Sequence, residues 1–154
     1  MKKIMFVCTG NICRSAMADF LLKNKLKELC LEGKCKVLSA GTYAYDGDVS
    51  TYEAISVMNK EYGIDMSAHR ATAIRNSEIE DMDLVLCMTN SHKHTLDMLY
   101  PHMENKIFLL KEYVGSQGEI ADPYGYGFDV YRNCANEIDN CLDLLINKEF
   151  GGIK

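Results

Sequence analysis

The sequence predicts an α/β domain in which a four-stranded parallel sheet is covered by helices on both faces. Short apolar runs alternate with longer segments whose apolar residues recur every three or four positions, which is typical of alternating strands and helices. The run from Leu84 to Met88 is apolar throughout, as expected of a central strand that is buried on both faces. A chain of 154 residues, 47% hydrophobic and 25% charged, suits one core. We therefore expect a single domain over residues 1–154.

The first half of the chain contains two predicted pairs of a strand and a helix. The strands span residues 3–7 and 36–40, and the helices span residues 15–31 and 52–62. The first helix has lysines on one side and, on the other, a stripe of apolar side chains three or four positions apart: Ala18, Leu22, Leu26 and Leu29. This stripe is expected to face the sheet.

The second half adds strands over residues 83–88 and 106–110 and helices over residues 92–100 and 128–148. The last helix carries a similar apolar stripe, made of Tyr131, Cys134, Ile138, Leu142 and Leu145. Right-handed crossovers between these strands favour the order 2-1-3-4, which is the flavodoxin-like, three-layer α/β/α arrangement. Such sheets bind ligands where the carboxyl ends of their strands meet.

The segment Cys8-Thr9-Gly10-Asn11-Ile12-Cys13-Arg14-Ser15 directly follows the first strand and precedes the first helix. Gly10 and Asn11 permit left-handed backbone angles that turn several amide groups toward one anion. The guanidinium of Arg14 matches two phosphate oxygens, and the helix that begins at Ser15 favours a bound anion and a thiolate at Cys8. The segment therefore predicts a phosphate-binding loop with Cys8 as its nucleophile.

A long loop over residues 115–127 follows the fourth strand and contains Asp122-Pro123-Tyr124. The residues alone leave two interpretations of Asp122. Asp-Pro commonly begins a turn, here before the last helix. A carboxylic acid beside a phosphate site can also protonate a departing alkoxide or phenolate.

Charge and cysteine usage limit the range of functions. The formal net charge of −5 argues against general binding to nucleic acid or to anionic membranes. The odd number of cysteines, seven, cannot close into a full disulfide framework and indicates a reducing compartment. The apolar run after Lys3 is too short for a signal peptide, so we expect a cytoplasmic protein. The pairs Cys8 and Cys13, and Cys30 and Cys35, flank a loop and a turn respectively, and we expect no metal.

Three motifs together resemble low-molecular-weight protein tyrosine phosphatases: the segment from Cys8 to Ser15, Ser39-Ala40-Gly41-Thr42 and Asp122-Pro123-Tyr124. The resemblance implies that Cys8 attacks phosphorus, that Asp122 protonates the leaving group and that no cofactor is needed. Arg14 and the loop would hold the phosphate oxygens, the loop being Thr9, Gly10, Asn11, Ile12, Cys13 and Ser15. Ser15 would also hydrogen-bond the thiolate, and Asn11 with Ser39 would hold the shape of the loop.

The resemblance also bears on substrate and regulation. Tyr45 and Tyr124 are expected to clasp a phenyl ring at the entrance. Related arginine phosphatases carry threonine at the position of Ile12, so the apolar side chain favours aryl phosphate. The expected substrates are phosphotyrosine proteins or small aryl phosphates, with inorganic phosphate as product. Cys13 matches the cysteine that the family uses as a redox partner of the nucleophile.

Some positions depart from the family pattern. Ala16 stands where proline is usual, and Asp19 stands where glutamate is usual. The segment His69-Arg70-Ala71-Thr72 replaces the common His-x-Ala-Arg, and His69 is expected to brace the loop through Asn11 or Asp19. We assign no role to His92, His94 or His102.

Other functions remain open on the same loop. One is a protein arginine phosphatase, and another is an arsenate reductase, although Cys87 lacks a second cysteine because His94 occupies the expected position. The non-enzymatic alternative is a module that binds phosphotyrosine without hydrolysing it. We expect a monomer or a weak homodimer.

Overall fold

The computed structural model describes residues 1–151 and contains one parallel sheet. Its strands are β1 (Lys2–Cys8), β2 (Cys35–Gly41), β3 (Leu84–Cys87) and β4 (Ile107–Leu109). They are arranged in the order β2-β1-β3-β4, which confirms the predicted topology. Residues 152–154, which the predicted domain includes, lie outside the described residues.

Within residues 1–151, five α-helices accompany the sheet. They are α1 (Arg14–Glu28), α2 (Tyr52–Tyr62), α3 (Asn90–Leu99), α4 (Leu110–Tyr113) and α5 (Phe128–Glu149). Short 3₁₀ turns link them at Glu32–Lys34, Ile74–Asn76, Ile79–Asp81 and Pro101–Lys106. In residues 1–151 no helix has the length and apolar character that a membrane crossing requires.

The first helix ends at Glu28, whereas the apolar stripe predicted an end at residue 31. Cys30 adopts φ 58°, in the left-handed region, and the amide of Leu31 donates back to the carbonyl of Leu26 across 2.7 Å. This geometry closes a helix and usually involves glycine. Because a cysteine adopts it here, the sequence contained no signal for the stop.

The two faces of β1 pack into two separate apolar clusters. Ile4 and Phe6 lie in the cluster that contains the buried residues of α1, α2 and α5, whereas Met5 and Val7 lie in the cluster beneath α3. All four side chains are at most 1% exposed. The strand that leads into Cys8 is therefore fixed from both sides. This rigid support holds the loop that follows it.

Candidate active site

Cys8 ends β1, and its side chain is 1% exposed. The hydroxyl of Ser15 lies 3.0 Å from the Cys8 sulfur, and the Ser15 amide donates to the same sulfur across 3.5 Å. Asn11 Nδ2 donates to the Ser15 hydroxyl across 2.8 Å, so the hydroxyl can direct its own hydrogen to the sulfur or to the more distant carbonyl of Ala40, which lies 3.4 Å away. Donors at the first turn of a helix favour the charged thiolate over the thiol. The sequence-predicted contact between Ser15 and Cys8 is present.

Asn11 holds the middle of the loop in a left-handed conformation with φ 55°. Its side chain is fully buried, and Oδ1 accepts the amide of Thr72 across 2.9 Å. Its main-chain carbonyl accepts a hydrogen bond from Nε2 of His69 across 2.8 Å. These hydrogen bonds offset the cost of a left-handed backbone at a residue other than glycine. His69 thus contacts the loop through Asn11, one of the two routes that we expected.

Ser39 and Asp19 brace the helix that follows the loop. The Ser39 hydroxyl donates to Oδ2 of Asp19 across 2.8 Å, and Oδ1 of Asp19 pairs with Lys23 at 2.8 Å. Asp19 is 5% exposed. In residues 1–151, Ser39 therefore reaches the loop by anchoring α1 to β2, and its hydroxyl makes no hydrogen bond to Asn11. The side chain of Asp19, although shorter than the usual glutamate, is long enough to reach the Ser39 hydroxyl.

Gly41 lies where β2 passes the phosphate-binding loop. A Cβ atom at this position would lie 2.3 Å from the carbonyl oxygen of Thr9, so only glycine permits the approach. The next two residues use the closeness, because Thr42 and Tyr43 donate their amides to the carbonyls of Cys8 and Thr9 at 2.9 and 3.0 Å. The second motif therefore fixes the outer side of the loop.

Arg14 begins α1 and is 3% exposed. Its Nη1 donates to the carbonyl of Ile120 across 2.9 Å, and its Nη2 lies 3.7 Å from Oδ2 of Asp122. Nε is buried and has no hydrogen-bond partner among residues 1–151. A buried charged donor without a partner is costly, and a bound anion would remove that cost. The guanidinium is thus already oriented for an oxyanion.

Asp122 lies on the neighbouring loop, with its side chain 52% exposed. Its Oδ1 accepts the amide of Tyr124 across 3.0 Å, which is the turn that the Asp-Pro dipeptide predicted. Its Oδ2 faces Arg14. The two interpretations of Asp122 are therefore compatible, because one oxygen makes the turn and the other remains at the phosphate site.

Comparison with known proteins identifies the family. A family model described as low molecular weight phosphotyrosine protein phosphatase matches residues 3–150. The chain belongs to this family. As a low-molecular-weight phosphatase the protein is an enzyme, and the resemblance seen in the three motifs is confirmed.

Individual relatives cover nearly the whole phosphatase chain. The protein-arginine-phosphatase of Geobacillus stearothermophilus is 41% identical over 147 residues, which is 95% of each chain. The low molecular weight protein-tyrosine-phosphatase PtpB of Staphylococcus epidermidis is 35% identical over 92% of this chain and 94% of its own. The crystal structure of the low molecular weight protein tyrosine phosphatase from T. tengcongensis superimposes with a TM-score of 0.91 at 43% identity, covering 96% and 99% of the two chains.

Exposed tyrosines lie on loops beside the phosphatase site. Tyr45 and Tyr124 are 64% and 61% exposed. Tyr45 makes an edge contact with Tyr43, their ring centroids being 6.0 Å apart. The sequence did not indicate Tyr43. Its amide donates to the carbonyl of Thr9, next to the bond from the Thr42 amide to the Cys8 carbonyl. Tyr43 and Tyr45 therefore form an edge-to-face pair on the loop that follows β2.

Of the cysteines other than Cys8, only Cys30 is exposed, and the rest are buried. Cys13 is 5% exposed, and burial together with the nearby Cys8 raises the pKa of its thiol to about 12. Cys87, the residue considered for an arsenate reductase, is fully buried in β3, and burial raises the pKa of its thiol. Cys87 packs in the apolar cluster beneath α3, whereas Cys8 packs in the cluster on the other face of the sheet. Among residues 1–151 no cluster of three or more histidine, cysteine or acidic side chains has the geometry to hold a metal ion.

His92 is the residue that the sequence analysis missed. It is 4% exposed, and its Nε2 lies 2.8 Å from the hydroxyl of Thr9 in the phosphate-binding loop. Its Nδ1 accepts the amide of Thr89 across 3.2 Å and completes a capping box at the start of α3. The spacing of Thr89 and His92 was the available signal. It went unused because the helix was predicted to begin at His92 rather than at Asn90.

Proposed function

We propose that the phosphatase hydrolyses phosphotyrosine in proteins, and small aryl phosphates, through a cysteinyl-phosphate intermediate. One observation carries the proposal: Cys8 and the unpaired Nε of Arg14 lie on one buried loop, and Asp122 faces that loop within 3.7 Å of the guanidinium. A nucleophile, an anion cradle and a carboxyl group are the three parts that phosphoryl transfer to a thiolate requires.

In the first step the Cys8 thiolate forms a bond to phosphorus as the bond from phosphorus to the phenolic oxygen breaks. Nε and Nη2 of Arg14, with the loop amides, hold the equatorial oxygens, on which charge is spread. The protonated Asp122 gives its proton to the departing phenolate, so the alcohol leaves neutral. The Ser15 hydroxyl, 3.0 Å from the sulfur, stabilises the thiolate before the attack.

In the second step water attacks the phosphorus of the intermediate from the side that the phenol has left. Asp122, now ionised, accepts a proton from this water, and the bond from sulfur to phosphorus breaks. Inorganic phosphate leaves and Cys8 returns as a thiolate. Protein groups supply each proton transfer in this scheme.

Two substrate classes compete for this site. The side chain of Ile12, in the phosphate-binding loop, is partly exposed and packs against the apolar core, and Tyr43, Tyr45 and Tyr124 are exposed on the loops that follow β2 and precede α5. These groups suit a phenyl ring better than a charged guanidinium. The second candidate is phosphoarginine, because the Geobacillus relative at 41% identity is named a protein-arginine-phosphatase.

A substrate panel tests this choice. We expect the wild-type enzyme to have a higher kcat/KM on a phosphotyrosine peptide than on the same peptide carrying phosphoarginine or phosphoserine. The kcat/KM for free arsenate as a substrate should also be lower. Ile12→Thr removes apolar contact and adds a hydroxyl, so it should move the ratio of phosphotyrosine to phosphoarginine activity toward phosphoarginine by about tenfold. The matched control Ile12→Val keeps the site apolar and should leave the ratio unchanged. A wild-type preference for phosphoarginine would overturn the proposed substrate.

We also propose that peroxide switches the enzyme off reversibly. Peroxide converts the Cys8 thiolate to a sulfenic acid, and the Cys13 sulfur then attacks that sulfur, forming a disulfide and releasing water. Because Cys13 is protonated, with a pKa of about 12, closure of the disulfide should speed up as the pH rises.

The seven unpaired cysteines support a reducing compartment, and we place the activity in the cytoplasm.

Inactivation kinetics and mass spectrometry test the switch. Wild-type enzyme treated with peroxide should regain its activity with a thiol reductant and contain a peptide pair linked through Cys8 and Cys13. Cys13→Ser should lose activity irreversibly, since its Cys8 proceeds to the sulfinic acid. The control Cys30→Ser alters an exposed cysteine just beyond the end of α1 and should behave like the wild type. An inactive wild-type enzyme without the Cys8–Cys13 bond would refute the switch.

A further inference from the structure

We propose that His92 is a positioning residue that ties the start of α3 to the phosphate-binding loop through Thr9. This inference rests on the proposed phosphatase reaction, since it concerns the geometry of that same loop. His92 does not touch the reacting atoms. It acts on the residue that directly follows the nucleophile, 83 positions away in the chain.

The hydrogen-bond partners determine which nitrogen of His92 carries its proton. The amide of Thr89 is only a donor, so Nδ1, which lies 3.2 Å from it, must be the unprotonated acceptor. A neutral imidazole then carries its hydrogen on Nε2. That hydrogen points at the Thr9 hydroxyl oxygen, 2.8 Å away. The capping box of α3 therefore orients the ring so that it donates to the loop.

The segment 88–92, which contains His92, also makes hydrogen bonds to the loop of Asp122. The carbonyl of Met88 accepts the amide of Ile120 across 2.9 Å, and the amide of Asn90 donates to Oε2 of Glu119 across 2.6 Å. The carbonyl of Ile120 in turn accepts Nη1 of Arg14. The segment 88–92 thus contacts the loop of the nucleophile on one side and the loop of the acid on the other.

Burial and charge keep His92 in one state. Its side chain is 4% exposed, and burial followed by the positive charge of Arg14 lowers its pKa to about 4, against smaller opposing effects of Asp122 and Glu119. Between pH 5.5 and 8 the ring is therefore neutral and keeps a single donor. Its contribution over this range is position, and no proton moves through it.

Two substitutions distinguish the role of Nδ1, which caps α3, from that of Nε2, which donates to Thr9. His92→Gln reaches as far as Nε2 with an amide donor, so it can keep the bond to Thr9. His92→Asn is shorter, so it can cap α3 at Thr89 but cannot reach Thr9. We expect His92→Asn to lower kcat/KM on p-nitrophenyl phosphate and to weaken competitive inhibition by inorganic phosphate, each by about tenfold. His92→Gln should stay within about threefold of the wild type in both. His94→Asn, on an exposed part of the same helix, is the matched control and should change neither.

Four further measurements complete the test. The pH profile of kcat/KM from 5.5 to 8 should keep its shape in both His92 variants. In Thr9→Val the His92→Asn substitution should cause no additional loss, because the acceptor is already missing. The melting temperature separates a helix cap from a positioning role: the proposal fails if activity follows the melting temperature across the variants, or if His92→Asn matches the wild type. Binding of inorganic phosphate, followed by ³¹P line broadening, tests His92 without turnover, so a wild-type protein that hydrolyses nothing overturns the proposed function and leaves this measurement intact.

Discussion

Cys8→Ser is expected to lower the turnover of p-nitrophenyl phosphate by about 10⁴-fold or more. The serine oxygen is a far weaker nucleophile at neutral pH than the thiolate of the proposed reaction, because an alcohol keeps its proton there. Among residues 1–151 the side chain that hydrogen-bonds to position 8 is that of Ser15, which is itself bound by Asn11, and neither of them is a base that could activate a serine. Initial rates at saturating substrate measure the loss.

The variant should keep the fold and the anion site. Serine is close to cysteine in size, so β1 and the loop are expected to pack as before, and inorganic phosphate should still bind to Arg14 and the loop amides. Circular dichroism and phosphate binding check these points. Cys13→Ser is the matched control, because it removes the other thiol of the same loop and should retain most of the activity under reducing conditions. Substantial activity in Cys8→Ser would show that the nucleophile is another group.

The order of the strands was predictable because periodicity and handedness restrict it strongly. The run from Leu84 to Met88 had to be central, and right-handed crossovers left one simple order, which the structure has. Helix ends were less accessible. Cys30 stops α1 by adopting a positive φ that its residue type does not suggest, and α4 (Leu110–Tyr113) spans only four residues, too few for a periodic signal.

The parts of the site that are contiguous in sequence were the ones that the sequence displayed. Cys8, Asn11, Arg14 and Ser15 lie within eight residues, and the contacts among Cys8, Asn11 and Ser15 follow from the turn that they form. Contacts across the fold carried no such signal. Arg14 binds the carbonyl of Ile120, a main-chain atom whose position depends on the whole 115–127 loop. His92 faces Thr9 only because β3 lies beside β1 and the capping box turns the ring toward it.

The phosphate-binding loop is held from several directions because its conformation is unfavourable by itself. Asn11 alone makes hydrogen bonds with the Thr72 amide and the His69 ring, both from the segment 69–72, and with the Ser15 hydroxyl at the start of α1. Left-handed backbone at a residue other than glycine costs about 1 kcal/mol, and each buried hydrogen bond contributes about as much. The loop can therefore keep its amides oriented before the substrate arrives, and little reorganisation is left for the reaction.

Asp122→Asn is expected to reduce kcat/KM most for substrates whose phenol is a poor leaving group. The asparagine keeps the oxygen that accepts the Tyr124 amide, so the turn should persist, but it cannot give a proton to the phenolate. We expect a loss of about 10²- to 10³-fold on phosphotyrosine and a much smaller loss on aryl phosphates with strongly acidic phenols. A series of substituted phenyl phosphates provides the measurement. Asp129→Asn, at the exposed start of α5, is the matched control and should leave the series unchanged.

The parameter kcat/KM isolates the role of Asp122 as an acid, because it reports only the steps up to the release of the phenol. Asp122 is also expected to act as the base when water attacks the intermediate, and that step is the same for all substrates because they share one cysteinyl phosphate. The loss in kcat should therefore level off at a common value, whereas the loss in kcat/KM should grow with the pKa of the phenol. Equal losses in kcat/KM across the series would mean that another group protonates the leaving oxygen and that the contact of Asp122 with Arg14 only orients the guanidinium.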